Sequence, residues 1–544
     1  MEESSNALQI YCRLRPMTIK DDEEGEEKAE KKKDSSAEVV ILKRVSDTVV
    51  QLCRPHLPFK QEQYSFEHVF PGDSSQEAVF SRVGLPKVDA LLCGADGLVF
   101  AYGATGSGKS FTVAGGGRSA DDQQQQQQQQ QAGLVPRTID ALFSVLAGRL
   151  NSQCHIVPDN RNHYAIINTR FSGGGGGGEY GARLVDDEIL TCTENAAAST
   201  TSKYPLSAAA RERLTTRRYS VFVSFVEIYN NYIYDLLELP EPGVIHWKRS
   251  TLKLAHDSKK AVYVQGGSEQ EAKNAHQAMQ LFQYGLASRQ TAATRLNHCS
   301  SRSHAVFTLK LVSYEESKCR RRQTALGGRL SVLSDVSQLA VNQLTVVDLA
   351  GVERSKSTQA TGATLTEAAN INKSLLALRG CFQVMRQNQA GKKHAAAPIP
   401  YRTDKLTFLL KGFFERGLSQ ISMIVCVKPS AADLDDTAQV LLFGEKAQGV
   451  VFKQPQMKDS EEEEEEASQL SEQKMVAAFF NETEVVNDQL NSFSLTRPPA
   501  AVDDGGALTT SEDFTVFIEH MKQYLDVHDR EASKLLDCSH QLGM

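Results

Sequence analysis

Gly103-Ala104-Thr105-Gly106-Ser107-Gly108-Lys109-Ser110 places three glycines, a lysine and a hydroxyl in eight residues. The glycines let the backbone wrap tightly, so that successive N–H groups face phosphate oxygens. Lys109 is long enough to reach β- and γ-phosphates, and the Ser110 hydroxyl can ligate Mg²⁺. An apolar run, residues 98–102, leads into the loop, and a helical stretch follows it. The N-terminal dipole of that helix adds positive potential. The spacing predicts a nucleoside-triphosphate site. Alone it does not separate a motor from a G protein, a helicase or a kinase.

Two further segments narrow the chemistry. Asp348 ends the apolar run 343–347, where a carboxylate suits a Mg²⁺-linked water. Gly351 follows three residues later and can offer its N–H to a γ-phosphate, with Glu353 just beyond. Residues 297–304 read Asn297-His298-Cys299-Ser300-Ser301-Arg302-Ser303-His304. Three serines, an arginine and two histidines so close together are not core packing.

These residues need a scaffold. Strand-like runs fall at 98–102, 219–228, 343–348 and 421–427, and helical patterns at 137–146, 271–286 and 367–386. Strands alternating with helices predict an α/β fold with a central, mainly parallel or mixed sheet flanked by helices on both faces. Polar or glycine-rich stretches at about 17–36, 114–132, 150–217 and 315–340 read as long loop insertions without regular structure. After residue 453 come six consecutive glutamates, 461–466, and two modest amphipathic stretches, 470–490 and 514–536. Neither sustains the heptads a coiled coil needs.

Composition removes several classes. The net charge is −7, which argues against a generally basic nucleic-acid binder. Residues 21–30 and 461–466 supply much of it; elsewhere 59 bases face 54 acids, a net of +5. The ten cysteines form no CxxC pair and read as reduced thiols of a cytosolic or nuclear protein. Residues 1–16 lack a signal-peptide core, and no run of 18 apolar residues occurs, so no membrane association is expected.

GxTGSGKS, then NxxSSRSH, then DLAGxE, in that order, resembles the kinesin motor domain, a P-loop NTPase fold. Cys12-Arg13-Leu14-Arg15-Pro16, residues 64–70, the segment from Asn370 to Leu378 and the segment from Ile399 to Thr407 are similar to further kinesin segments. The resemblance spans about residues 6–453 and leaves 454–544 for a neck and a short tail. Residues 221–238 and 423–429 resemble the mitotic kinesin-like, centralspindlin-type branch, which also carries a long insertion before that strand.

The resemblance implies an ATP-hydrolysing microtubule motor using ATP and Mg²⁺. Arg13, Arg15 and Pro16 would flank the adenine, with Phe111 on its other side. Ser110 and Ser303 would approach Mg²⁺, with Asp348 holding a metal-bound water. Ser301 belongs to the phosphate-sensing loop, and Arg302 and Glu353 would pair to close the site. Lys373, Lys392, Lys393, Arg402 and Lys405 would meet the acidic microtubule. A neck C-terminal to the motor core implies plus-end direction, as in the family, and central-spindle and cytokinetic work and a place on cytoplasmic spindle microtubules follow from the branch. So does a homodimer or a Rho-GAP-type partner at the neck. Phe408 departs from the pattern where a base is common, which keeps a slow crosslinking ATPase as the alternative. A signalling GTPase fits less well, because no NKxD-type segment follows Asp348.

Overall fold

The computed structural model describes residues 7–16, 41–54, 61–116, 131–151, 155–159, 161–167, 203–239, 249–295, 300–315, 339–352, 363–390, 396–415 and 419–452. The strands are β1 (Gln9–Leu14), β2 (Leu42–Arg44), β3 (Val49–Cys53), β4 (Gln61–Ser65), β5 (His68–Phe70), β6 (Gly97–Tyr102), β7 (His155–Pro158), β8 (Tyr164–Ile167), β9 (Arg217–Tyr229), β10 (Tyr232–Asp235), β11 (Thr251–His256), β12 (Val262–Gln265), β13 (Gln270–Ala272), β14 (His304–Glu315), β15 (Ala340–Asp348) and β16 (Gln420–Val427). The α-helices of five or more residues among the described residues are α1 (Leu85–Leu92), α2 (Lys109–Val113), α3 (Leu134–Val145), α4 (Ala208–Thr216), α5 (Ala275–Arg295), α6 (Ala363–Ala390), α7 (Lys405–Glu415) and α8 (Leu434–Ala447).

One sheet runs β12-β11-β10-β9-β14-β15-β6-β16-β1-β5, with β13 added beside β9. The five strands from β15 to β5 are parallel, whereas β14 runs antiparallel to both its neighbours, β15 and β9. The pleat divides β6 between two cores. Leu98, Phe100 and Tyr102 pack with Leu378 and Phe382 of α6 and Phe443 of α8. Val99 and Ala101 pack with Leu91 of α1, Ile139 of α3 and Phe282 of α5. Burial on both faces explains why this strand is apolar throughout.

Two expectations need correction. The 271–286 helix starts later: residues 270–272 pair with β9, and the Asn274 side chain accepts from the Gln277 N–H at 2.9 Å. That Asx cap stops the helix from extending back. The 150–217 insertion is not all irregular. β7 and β8 pair as a hairpin, and Ile156 and Tyr164 bury against Phe222, Val312 and Tyr314 of extended β9 and β14. Ser207 caps α4, which packs on α1.

Lys87 of α1 is 1% exposed. Its ammonium donates to the neutral Gln9 Oε1 at 2.8 Å and Gln420 Oε1 at 3.5 Å. Burial pushes its pKa down to about 8. Between pH 8 and 10.5 the unfolded chain therefore holds a proton that the folded chain releases, and stability rises with pH in that window. Lys87→Met should remove this rise and stabilise the fold at pH 7 by about 1–3 kcal/mol. Urea denaturation at pH 7 and pH 9.5 measures both effects; a lower midpoint for the variant at pH 7 contradicts the assignment.

Candidate functional site

The loop between β6 and α2 takes its shape from left-handed glycines. Gly106 has φ 75° and Gly108 φ 96°. Gly103 runs so close to β16 that a Cβ there would lie 2.2 Å from the Cys426 carbonyl oxygen. Lys109 Nζ donates to the Gly103 and Ala104 carbonyls at 2.9 and 2.8 Å, which holds its charge over the loop. Ala104, Thr105 and Ser107 complete the turn.

The residues expected on the adenine side separate into two groups. Arg13 is buried; its guanidinium donates to Gln76 Oε1 and Thr112 Oγ1, both at 2.9 Å, and lies 5.3 Å from the centre of the Phe111 ring. Arg13 thus lies inward, against the Phe111 ring. Phe111 itself is 41% exposed and free to stack on a base. Arg15 Nη1 donates to the Gly106 carbonyl at 2.5 Å, and Pro16 is exposed beside Gly72.

Three backbone segments meet beside the loop. The Val352 N–H donates to the Gly103 carbonyl at 3.1 Å, and the Gly351 N–H to the Ser301 carbonyl at 2.7 Å. A Cβ on Gly351 would stand 2.1 Å from Thr105 Oγ1 and 3.0 Å from the Thr105 backbone nitrogen, so a larger residue would have to displace Thr105. The Gly351 donor expected to meet a γ-phosphate is here occupied by Ser301. Phosphate sensing by that N–H therefore requires residues 300–303 to give it up. Ser301 and Arg302 lie in a short 3₁₀ turn, and Arg302 is half-buried. Glu353, its expected partner, lies outside the described residues, as do Lys392 and Lys393.

At the centre the Ser110 hydroxyl donates to Asp348 Oδ2 at 2.7 Å. Arg289 of α5 donates to the same oxygen at 2.9 Å, and to Ser303 Oγ at 3.2 Å and the Ser303 carbonyl at 2.8 Å. Asp348 Oδ1 is buried with no hydrogen-bond partner. Two hydroxyls and a carboxylate with one unclaimed oxygen form a hard donor set that fits Mg²⁺ bound partly through water. Glu227 continues the network, 3.8 Å from Arg289 and 3.5 Å from Arg249.

His304 joins this centre to α6. Its Nδ1 accepts from the Ala350 N–H at 3.0 Å, so Nε2 carries the proton and donates to Ser374 Oγ at 2.7 Å. Burial, with Arg289 and Lys109 nearby, pushes its pKa down to about 3. The sequence pointed to the 297–304 segment but gave no local sign of Arg289, Glu227 or the Ser374 contact. Of the expected track residues, Lys373 and Arg402 are exposed and Lys405 half-buried.

Arg289→Ala would leave the carboxylates of Asp348 and Glu227 buried without their shared cation. The expected loss is about 3–5 kcal/mol of folding stability, read by urea denaturation; a loss below 1 kcal/mol contradicts the network's role. For His304 the unfolded chain binds a proton between pH 6.5 and 3 that the folded chain refuses. Stability should therefore fall on acidification through that range, by up to about 1.4 kcal/mol per pH unit from this group. His304→Asn should flatten that fall in a denaturation series.

Residues 13–450 match the family model of the kinesin motor domain. The chain is 34% identical over 458 residues to the mouse kinesin-like protein KIF23, covering 82% of this chain and 43% of that protein. Human KIF20B is 30% identical, covering 82% of this chain and 23% of that protein. The chain thus spans less than half of these relatives. A solved structure titled kinesin 6 superposes with a TM-score of 0.57 at 30% identity, covering 80% of this chain and 98% of that one. With the phosphate loop, the serine-arginine-histidine turn and the Asp348 turn joined as described, the chain belongs to the kinesin motor family, whose motor domain is a microtubule-stimulated P-loop ATPase.

Proposed function

We propose that this chain is an ATP-hydrolysing, plus-end-directed microtubule motor that acts on spindle midzone microtubules in cytokinesis. The observation that carries the motor reading is one continuous path. It runs from the phosphate loop through Ser110–Asp348 to Arg289 and Ser303, and through His304 to Ser374 of α6. The cytokinetic role rests on the branch resemblance at residues 221–238 and 423–429.

Gly103 to Ser110 bind the triphosphate by backbone N–H groups, and Lys109 supplies its charge. Phe111, seated by Arg13, and Arg15 line the adenine side. Ser110, Ser303 and Asp348 would hold Mg²⁺, which neutralises phosphate charge when bound. Ser301 and Gly351 part when the γ-phosphate claims the Gly351 N–H. Arg302 and Glu353 close over the site, exclude bulk water and fix the attacking water, which is most of what phosphoryl transfer requires.

Loss of the γ-phosphate lets Gly351 return to Ser301. His304 cannot follow both Ala350 and Ser374 if they move apart, so a shift of the Asp348 turn is passed to α6. Lys373 on α6, with Arg402 and Lys405 around the start of α7, would meet the acidic track, together with Lys392 and Lys393. Site occupancy and track affinity are then linked equilibria. A homodimer or a Rho-GAP-type partner at the neck would rest on residues 454–544.

Lys109→Ala should abolish nucleotide-dependent release from microtubules. Arg302→Ala and Glu353→Ala should still bind nucleotide and microtubules but not turn over. Steady-state ATPase with cosedimentation tests this; normal microtubule-stimulated turnover in Arg302→Ala overturns the assignment. A folded, nucleotide-binding protein with slow turnover and no gliding would instead favour the crosslinker.

A further inference from the structure

The β7–β8 hairpin belongs to an insertion that the nucleotide site does not use, yet its turn is tied down at both ends. Asn162 adopts φ 67°, a left-handed conformation that asparagine tolerates better than most residues. Its Oδ1 accepts from Lys310 Nζ of β14 at 2.9 Å, and its Nδ2 donates to Asp257 Oδ2 at 2.8 Å. His163 Nε2 lies 2.9 Å from Ser258 Oγ. Lys310 also pairs with Glu269, which accepts from the Tyr164 hydroxyl at 2.5 Å. The hairpin is thereby anchored to the central sheet and grips the 257–261 turn between β11 and β12.

That turn leads to the expected track surface. His256, next to Asp257, packs edge-on to Phe408 of α7 with ring centres 5.4 Å apart. The Arg402 guanidinium lies 5.7 Å from the centre of the same ring. Lys405 sits 5.5 Å from the Tyr232 ring centre, on β10 beside β11. Phe408, where a base is common in the family, is therefore a platform shared by the β11–β12 lobe and a surface cation.

We propose that the inserted β7–β8 hairpin is a brace for the microtubule-binding face: by holding the 257–261 turn it sets Phe408, and through it the cations that meet the acidic track. This rests on the reading of Arg402 and Lys405 as track contacts. Microtubule affinity depends on Asn162, while turnover at the nucleotide site does not.

Asn162→Asp keeps the acceptor for Lys310 but sets a carboxylate against Asp257. In the full chain it should raise the microtubule concentration for half-maximal ATPase about threefold to tenfold, the scale of one lost polar contact. Turnover without microtubules should stay within about twofold. Adding Asp257→Asn exchanges donor for acceptor and should restore the wild-type half-saturation. An unchanged half-saturation in Asn162→Asp, a parallel fall in basal turnover, or no rescue overturns the brace. His163→Ala, which removes the Ser258 contact and the local pairing with Asp159 inside the hairpin, carries the first two outcomes if Asn162→Asp does not fold. Arg402→Ala with Lys405→Ala separates the two readings. If that pair leaves half-saturation unchanged, the track assignment fails and the brace with it. If the pair weakens binding and Asn162→Asp does not, the brace alone fails.

Discussion

A guanidinium buried among carboxylates governs this molecule. Arg289 is 5% exposed and lies between Asp348 and Glu227, with Ser303 completing its donors. A charge at that depth is tolerated only when its partners are fixed around it. The constraint therefore reaches outward. α5 must present Arg289, β15 must end at Asp348, β9 must present Glu227, and the 300–303 turn must stay close. Two of them, the end of β15 at Asp348 and the 300–303 turn, also meet beside the phosphate loop. Stability and the proposed nucleotide chemistry therefore draw on the same side chains.

Around that centre, motion has few degrees of freedom. Gly351 is pressed against Thr105, Val352 is bonded to Gly103, and His304 holds Ala350 and Ser374 at once. Packed contacts of this kind change by exchanging partners rather than by stretching. The inserted hairpin follows the same logic with weaker bonds. It is linked to a surface turn by two polar contacts, and the turn reaches an aromatic platform through an edge-on ring contact. Such contacts are worth little each, so they suit tuning of a binding face better than the support of a core.

Much of the fold was legible in the sequence. The apolar runs at 98–102, 343–348 and 421–427 are strands because they are buried on two faces, and such runs leave a dense local signal. The phosphate loop was legible because its geometry needs glycine at fixed offsets. The hairpin at 155–167 was not, because short alternating segments are outweighed by the glycine-rich stretch that follows. Its partners, Phe222 and Val312, lie on strands distant in sequence. The start of α5 was misplaced because residues 270–272 share an apolar-polar pattern with a helix, and only pairing with β9 decides between them.

The sequence by itself determined the chemistry: which loop cradles phosphate, which hydroxyls and carboxylate suit a hard cation, and which segments belong to the kinesin motor pattern. These are encoded by residue types at short, fixed separations. The tertiary structure alone decided who meets whom across long separations. It brought Arg289 to Asp348, turned Arg13 inward behind Phe111, and made Phe408 a seat for Arg402. Each outcome depends on strand order and helix packing, which no local spacing records.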